Sequence, residues 1–170
     1  MTSVRPSRRR RLAVVLVGLV ASASIVATAA TQETPWRIAL DLAEETCLPY
    51  RVYAIRMGEV DPQRGDFVAF RATGLEPHFV DGSLFTKQVL GVPGDRVVVG
   101  FDGATVNGTF LAFTDRAIKK LGIPRAARVA SYTLGQGELF MAGTEPGAFD
   151  SRYYGPVRAS ALVGSSRPLL

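Results

Sequence analysis

Nineteen consecutive uncharged residues, Leu12 to Ala30, constrain this chain more than any other stretch. A helix rises about 1.5 Å per residue and needs roughly 20 apolar residues to cross the hydrocarbon core of a bilayer. Arg5, Arg8, Arg9, Arg10 and Arg11 stand just before the run. By the positive-inside rule these arginines stay in the cytoplasm and Thr31 onward lies outside. Ala27-Thr28-Ala29 also fits the small-x-small pattern of a cleavable signal peptide. The run is longer than the apolar core of about 7–15 residues usual in such peptides, so we read it as an uncleaved anchor. The expected organisation is a cytoplasmic basic tail at 1–11, a transmembrane anchor at 12–30 and an extracytoplasmic domain at 31–170.

The same arginines account for the net charge of +5, because the residues after Arg11 carry 15 Lys/Arg and 15 Asp/Glu. A nucleic-acid-binding body needs a basic patch on the fold itself, so no nucleic-acid partner is expected. A lone cysteine, Cys47, excludes an intrachain disulfide framework and a Cys-based zinc site. A lone histidine, His78, argues against a histidine-rich metal site, and neither metal nor cofactor is expected. With 47% apolar and 21% charged residues, the chain has the makings of a packed core. A free cysteine outside the cytoplasm is exposed to unwanted pairing, so the presence of Cys47 needs an explanation.

Beyond Cys47, short apolar runs alternate with turn signals. Val52–Ile55, Phe67–Phe70, Phe85–Leu90, Arg96–Gly100, Ala104–Val106 and Glu138–Ala142 read as strands. Asn107-Gly108 is the strongest two-residue hairpin signal in the chain. Trp36–Glu45 reads as a helix, as does Asp115–Leu121, which ends at Gly122 with Pro124 beyond. A mostly β, barrel-like domain is the expected class.

Three segments carry unusual residue combinations. In Thr46–Tyr53, Cys47 precedes a Pro-fixed turn; it can be a nucleophile or a small buried hydrophobe, the commonest fate of a free cysteine. In Thr86–Asp95, Lys87 interrupts an apolar strand; burial there favours the neutral amine, a general base, whereas an edge strand would turn it to solvent. In Gly143–Gly155, Asp150 and Arg152 can join one local network or form a surface ion pair worth little.

Taken together, these segments resemble the bacterial type I signal peptidase family, membrane-anchored enzymes with a Ser/Lys dyad. Lys87-Gln88-Val89-Leu90-Gly91-Val92-Pro93-Gly94-Asp95 is similar to the family's lysine box, K-x-V-x-G-x-P-G-D. Arg64-Gly65-Asp66-Phe67-Val68-Ala69-Phe70 is similar to its R-G-D strand. Gly143, Asp150, Ser151, Arg152, Tyr153 and Gly155 match its final box. Cys47, Pro49 and Tyr53 resemble the S-x-P-x-G-x-Y segment of the conjugative-transfer (TraF-type) branch, whose members mature pilins. The resemblance implies a signal-peptidase-like β-barrel or coiled β-sheet domain behind one transmembrane helix, with a variable insert at about 104–136. It also implies a single-pass protein of the bacterial inner membrane, its catalytic domain facing the periplasm.

Three positions depart from the family pattern: Cys47 stands for the nucleophilic Ser, Arg51 for a Gly, and Ala148 for a Ser that often hydrogen-bonds the base lysine. A thiol needs less help from a base than a hydroxyl, so a Cys47/Lys87 dyad is chemically reasonable. The loss of the hydroxyl at Ala148 is expected to leave Lys87 less firmly oriented. The resemblance makes Asp150, Arg152 and Ser151 supports of the loop behind Lys87. The backbone N–H of Cys47 is the expected oxyanion donor. The larger enzymes often place a side-chain donor two residues before the nucleophile; that position is Glu45 here, and the role is not carried over. The implied substrate is a prepilin or preprotein with a small-x-small site, and the implied partners are the inner membrane and other conjugative-transfer components. Water or an amine can resolve the acyl-enzyme, the second joining pilin ends. Rival readings are a general preprotein signal peptidase, a non-catalytic assembly component, or a sortase-like transpeptidase. The last needs a His upstream of its Cys, and His78 lies downstream.

Overall fold

The computed structural model describes residues 34–44, 46–115, 118–119, 122, 129–145 and 147–170. The chain divides into Met1–Thr34 and Pro35–Leu170, and the strands and sheets all belong to the second unit among the described residues. The expected basic tail and anchor lie outside the described residues. Among the described residues, no helix is long and apolar enough to cross a membrane.

Among the described residues, two antiparallel sheets make up the fold. The larger runs β1-β2-β11-β3-β4-β9-β10, with β1 at Trp36–Leu40, β2 at Val52–Met57, β3 at Phe67–Arg71, β4 at Leu84–Gly91, β9 at Glu138–Ala142, β10 at Val157–Arg158 and β11 at Leu162–Pro168. The smaller runs β7-β6-β5-β8, with β5 at Arg96–Val99, β6 at Gly103–Val106, β7 at Thr109–Ala112 and β8 at Ala130–Thr133. The mostly β class is as expected, and all six strand readings fall on strands. Asn107-Gly108 is the hairpin turn between β6 and β7, with positive φ at both residues (46° and 85°), as a type I′ turn requires.

Among the described residues the expected closed barrel is not formed. Strands β1 and β10 are the outer strands of the larger sheet, and β7 and β8 those of the smaller. Closure needs the outermost strands to pair, and β10 is only two residues long before the chain turns into the 3-10 segment Ala159–Ala161. Bulges between Val89 and Gly91 and between Leu162 and Gly164 add local twist instead.

The helix expected over Trp36–Glu45 is also corrected. Trp36–Leu40 is a strand, in register with β2 from Trp36↔Arg56 to Leu40↔Val52. Its large apolar residues, Trp36, Ile38 and Leu40, recur at period two, and pairing with β2 supplies the backbone partners that a helix would have made internally. Of the second expected helix, Asp115, Ile118 and Lys119 are described and are helical, and the Gly122 N–H donates to the Ile118 carbonyl (3.0 Å).

Strand β9 ties the two layers together because it is buried on both faces. Phe140 and Ala142 pack with Val97, Val99, Ala104 and Val106 of the smaller sheet. Leu139 and Met141 pack with Val68, Phe70 and Val89 of β3 and β4. A third cluster, Leu48, Tyr53, Ile55 and Ala69, lies under the segment that carries Cys47.

Candidate active site

The segment from Asp41 to Arg51 joins β1 to β2 and carries Cys47 near its middle. Its ends are closed by the Asp41 N–H donating to the Arg51 carbonyl (2.8 Å). The Arg51 guanidinium donates to the carbonyls of Asp41 (3.3 Å) and Ala43 (2.9 Å), so this departure from the family glycine ties down the connection leading to the cysteine. Leu48, 1% exposed, sinks into the third cluster and anchors the segment from below. The Tyr53 hydroxyl donates to the Tyr50 carbonyl (2.9 Å) and holds the turn after Pro49. Burial first, then the nearby Asp41, Cys47 and Tyr50, pushes the Tyr53 phenol up to about 12. Cys47 itself is half-buried, with a free thiol.

The loop from Gly143 to Asp150 closes over this segment. The Glu145 N–H donates to the Cys47 carbonyl (3.2 Å). Gly143 lies so close that a Cβ there would come within 2.2 Å of the same carbonyl oxygen. That close approach is the physical reason for a glycine at the head of the box.

Asp150 fixes the loop. It is fully buried and caps the short helix α1 (Ser151–Tyr154). One of its oxygens accepts from the Gly143 N–H (2.9 Å) and from Arg152 Nη2 (2.7 Å); the other accepts from the Arg152 N–H (3.1 Å) and Nε (2.8 Å). Arg152 Nη1 donates to the Ala112 carbonyl of β7 (2.6 Å). Burial works against the Arg152 charge, but the hydrogen bonds and charge of Asp150 outweigh it and hold the guanidinium cationic. The Ser151 hydroxyl accepts from the Met141 N–H (3.0 Å) and docks the helix onto β9. Asp150 and Arg152 thus form a buried bidentate pair rather than a surface one, and their direct reach is toward the Cys47 side of the loop.

Lys87 sits in the middle of β4, opposite Val68 on β3. It is 3% exposed, so the buried reading of this lysine is the one realised. Among the described residues its amine forms no hydrogen bond and no ion pair; the Phe85 ring lies 5.4 Å from Nζ. Lys87 and Cys47 line one cavity of about 570 Å³, whose walls also include Tyr53, Phe79, Phe85, Gly147 and Phe149. The structure therefore brings the two expected dyad residues to one mostly apolar cleft. Ala148 is fully buried beside Gly143, and Glu45 lies outside the described residues. Among the described residues, no group of three His, Cys, Asp or Glu side chains could hold a metal ion.

A further cluster lies outside the expected site residues. Arg64 pairs with Asp95 (2.6 Å) and also donates to the Leu90 carbonyl, while Asp95 accepts from the Val92 N–H (2.8 Å) and from Asn107. Burial alone would raise the Asp95 carboxyl, but the hydrogen bonds from Val92, Arg64 and Asn107 outweigh it and hold it below the ordinary value. This cluster joins the R-G-D segment, the end of the lysine box and the β6–β7 hairpin. The signal was the charge complementarity of Arg64 and Asp95, which stand at the start of one motif and the end of another.

Residues 9–170 match the family described as signal peptidase, peptidase S26, and this chain belongs to that family. Among its relatives is a plasmid transfer protein TraF of Escherichia coli, 38% identical over 90 residues, or 49% of each chain. A conjugal transfer protein TraF of Agrobacterium fabrum is 32% identical over 87 residues, covering 49% of this chain and 47% of that protein. The chain spans about half the length of the curated relatives it matches. A crystal structure of a signal peptidase I from Enterococcus faecalis V583 superposes with a TM-score of 0.38 at 26% identity, over 64% of this chain and 98% of the other.

Proposed function

We propose that this chain is a membrane-anchored endopeptidase that processes a conjugative pilin precursor through a Cys47/Lys87 dyad. The observation that carries the proposal is the buried amine of Lys87, unpaired among the described residues, lining the same cleft as the thiol of Cys47. In this reading, Cys47 Sγ attacks the carbonyl after a small-x-small site while Lys87 Nζ takes the thiol proton. The Cys47 N–H receives the oxyanion. Lys87 then returns the proton to the leaving amine, and a thioester remains on Cys47. Water releases the acyl group, or an amine does so and joins pilin ends. Asp150, Ser151 and Arg152 hold the loop that fixes the Cys47 carbonyl and do not touch the reacting atoms. An anchor at 12–30 would hold the cleft at the periplasmic face of the inner membrane, where such sites emerge.

The test is coexpression of the full chain with a conjugative pilin precursor, following the precursor's size. Processing that is lost in Lys87→Ala and Cys47→Ala and partly kept in Cys47→Ser supports the dyad. Processing that survives Lys87→Ala overturns it. No processing by the unsubstituted protein overturns the enzyme reading and favours an assembly role.

A further inference from the structure

We propose that Phe85 is a positioning residue that stabilises and orients the Lys87 ammonium once the amine has taken a proton. The proposal rests on the reading of Lys87 as the base. Residues i and i+2 of a strand share a face, so Phe85 and Lys87 lie side by side on β4. Lys87 Nζ lies 5.4 Å from the centroid of the Phe85 ring, within the range of a cation–π contact. A lysine amine rides on a flexible four-carbon stem and needs a partner to fix it. Among the described residues no hydrogen bond or ion pair does so. Ala148, buried in the opposing loop, has no side-chain acceptor to offer.

The ring itself is fixed. Phe79 meets Phe85 at 4.9 Å and 85°, and Phe70 meets it at 5.8 Å and 77°. Phe79 in turn stacks on Phe149 at 5.4 Å and 14°. Phe149 belongs to the loop whose Glu145 N–H binds the Cys47 carbonyl. A chain of packed rings therefore runs from the loop that holds the nucleophile to the ring that faces the base.

The electrostatics give Phe85 a particular moment of action. The negative face of an aromatic ring attracts an ammonium and does little for a neutral amine. Its contribution thus grows as Lys87 takes the thiol proton, which is when charge develops in the transition state. The signature is a change in kcat with KM held.

The experiment uses the full chain in detergent, with a pilin precursor as substrate, and compares Phe85→Leu, Phe85→Tyr and Lys87→Ala. A second readout needs no turnover: the rate at which iodoacetamide alkylates Cys47, the single cysteine, at one fixed pH. Phe85→Leu keeps an apolar side chain and removes the ring face. It is expected to lower kcat by roughly three- to thirty-fold, with KM unchanged and slower alkylation. Phe85→Tyr keeps the face and is expected to recover both. If Lys87→Ala lowers both readouts and Phe85→Leu matches the unsubstituted protein, the dyad stands and the role of Phe85 is overturned. If Phe85→Tyr fails to recover what Phe85→Leu loses, the ring serves packing only, and the proposal is again overturned. If Lys87→Ala changes neither readout, the dyad reading falls and takes the role of Phe85 with it.

Discussion

A methyl group added at Gly143 would press directly on the segment that carries Cys47. The Cβ of Gly143→Ala would sit 2.2 Å from the Cys47 carbonyl oxygen, 3.0 Å from its carbonyl carbon and 2.6 Å from the Ala148 Cβ. Ordinary contact begins near 3.4 Å, so one side must yield by about 1.2 Å. Neither side yields freely. Leu48 is packed into its cluster one residue after Cys47, and the Gly143 N–H is bound to buried Asp150. Overpacking of this kind costs about 1–3 kcal/mol of stability. A misplacement of about 1 Å at reacting groups costs on the order of 10²-fold in rate. Gly143→Ala is therefore expected to stay folded and to process substrate roughly a hundredfold more slowly. Single-turnover cleavage of a pilin precursor measures the rate, and urea unfolding followed by the fluorescence of Trp36, the only tryptophan, measures the stability. Adding Ala148→Gly relieves the 2.6 Å contact and leaves the 2.2 Å one, so the double variant should remain slow. Turnover within threefold of the unsubstituted protein, or full recovery in the double variant, would refute this steric account.

Arg152→Ala leaves the fully buried Asp150 carboxylate without its bidentate partner, and urea unfolding should show a loss of about 3–5 kcal/mol; Arg152→Lys keeps the charge, loses the fork and should fall between. The Asp95 carboxyl is held below its ordinary value in the folded chain, so its contribution is present above the unfolded pKa and is lost as pH falls through the lower folded one. A thermal melt series should show Tm dropping below about pH 4, with a shallower drop in Asp95→Asn. Tyr53 has the opposite sign: its phenol, raised from 10.0 to about 12, gives stability that is complete below pH 10 and is lost as pH rises toward 12. Urea unfolding at alkaline pH should lose roughly 2–3 kcal/mol over that interval, and Tyr53→Phe should remove most of the loss.

What could be read from the sequence followed the strength of local patterning. Strand β5 carries three consecutive valines, Val97 to Val99, between turn signals, and that β-branched run identifies it. Strand β11 is an interior strand of the larger sheet yet carries no such signal, because Gly164, Ser165 and Ser166 break up its apolar run. It is placed by its neighbours β2 and β3, and pairing between distant strands leaves no mark within either of them. Trp36–Leu40 reads as helix for the related reason that its partner, β2, decides its conformation. The site was legible as motifs, and the motifs do meet. Their mutual arrangement was not: nothing in the order of residues says that Asp150 binds the Gly143 N–H.

The smaller sheet is more than an appendage to this site. The Ala112 carbonyl of β7 accepts from Arg152, Arg152 grips Asp150, Asp150 holds the Gly143 N–H, and two residues on the Glu145 N–H holds the Cys47 carbonyl. Each link is a hydrogen bond, and the Asp150–Arg152 links are buried, where such bonds are strong when made and costly when broken. The expected insert at about 104–136 contains β6, β7 and β8, which with β5 make up this sheet, and Asn107 at its hairpin also binds Asp95 at the end of the lysine box. The sheet thus reaches both halves of the cleft, the Cys47 loop through Ala112 and the strand of Lys87 through Asn107 and Asp95. To reach both, the sheet must present one backbone carbonyl and one side-chain amide in fixed places, and a two-residue Asn-Gly hairpin fixes both by setting the register of β6 against β7.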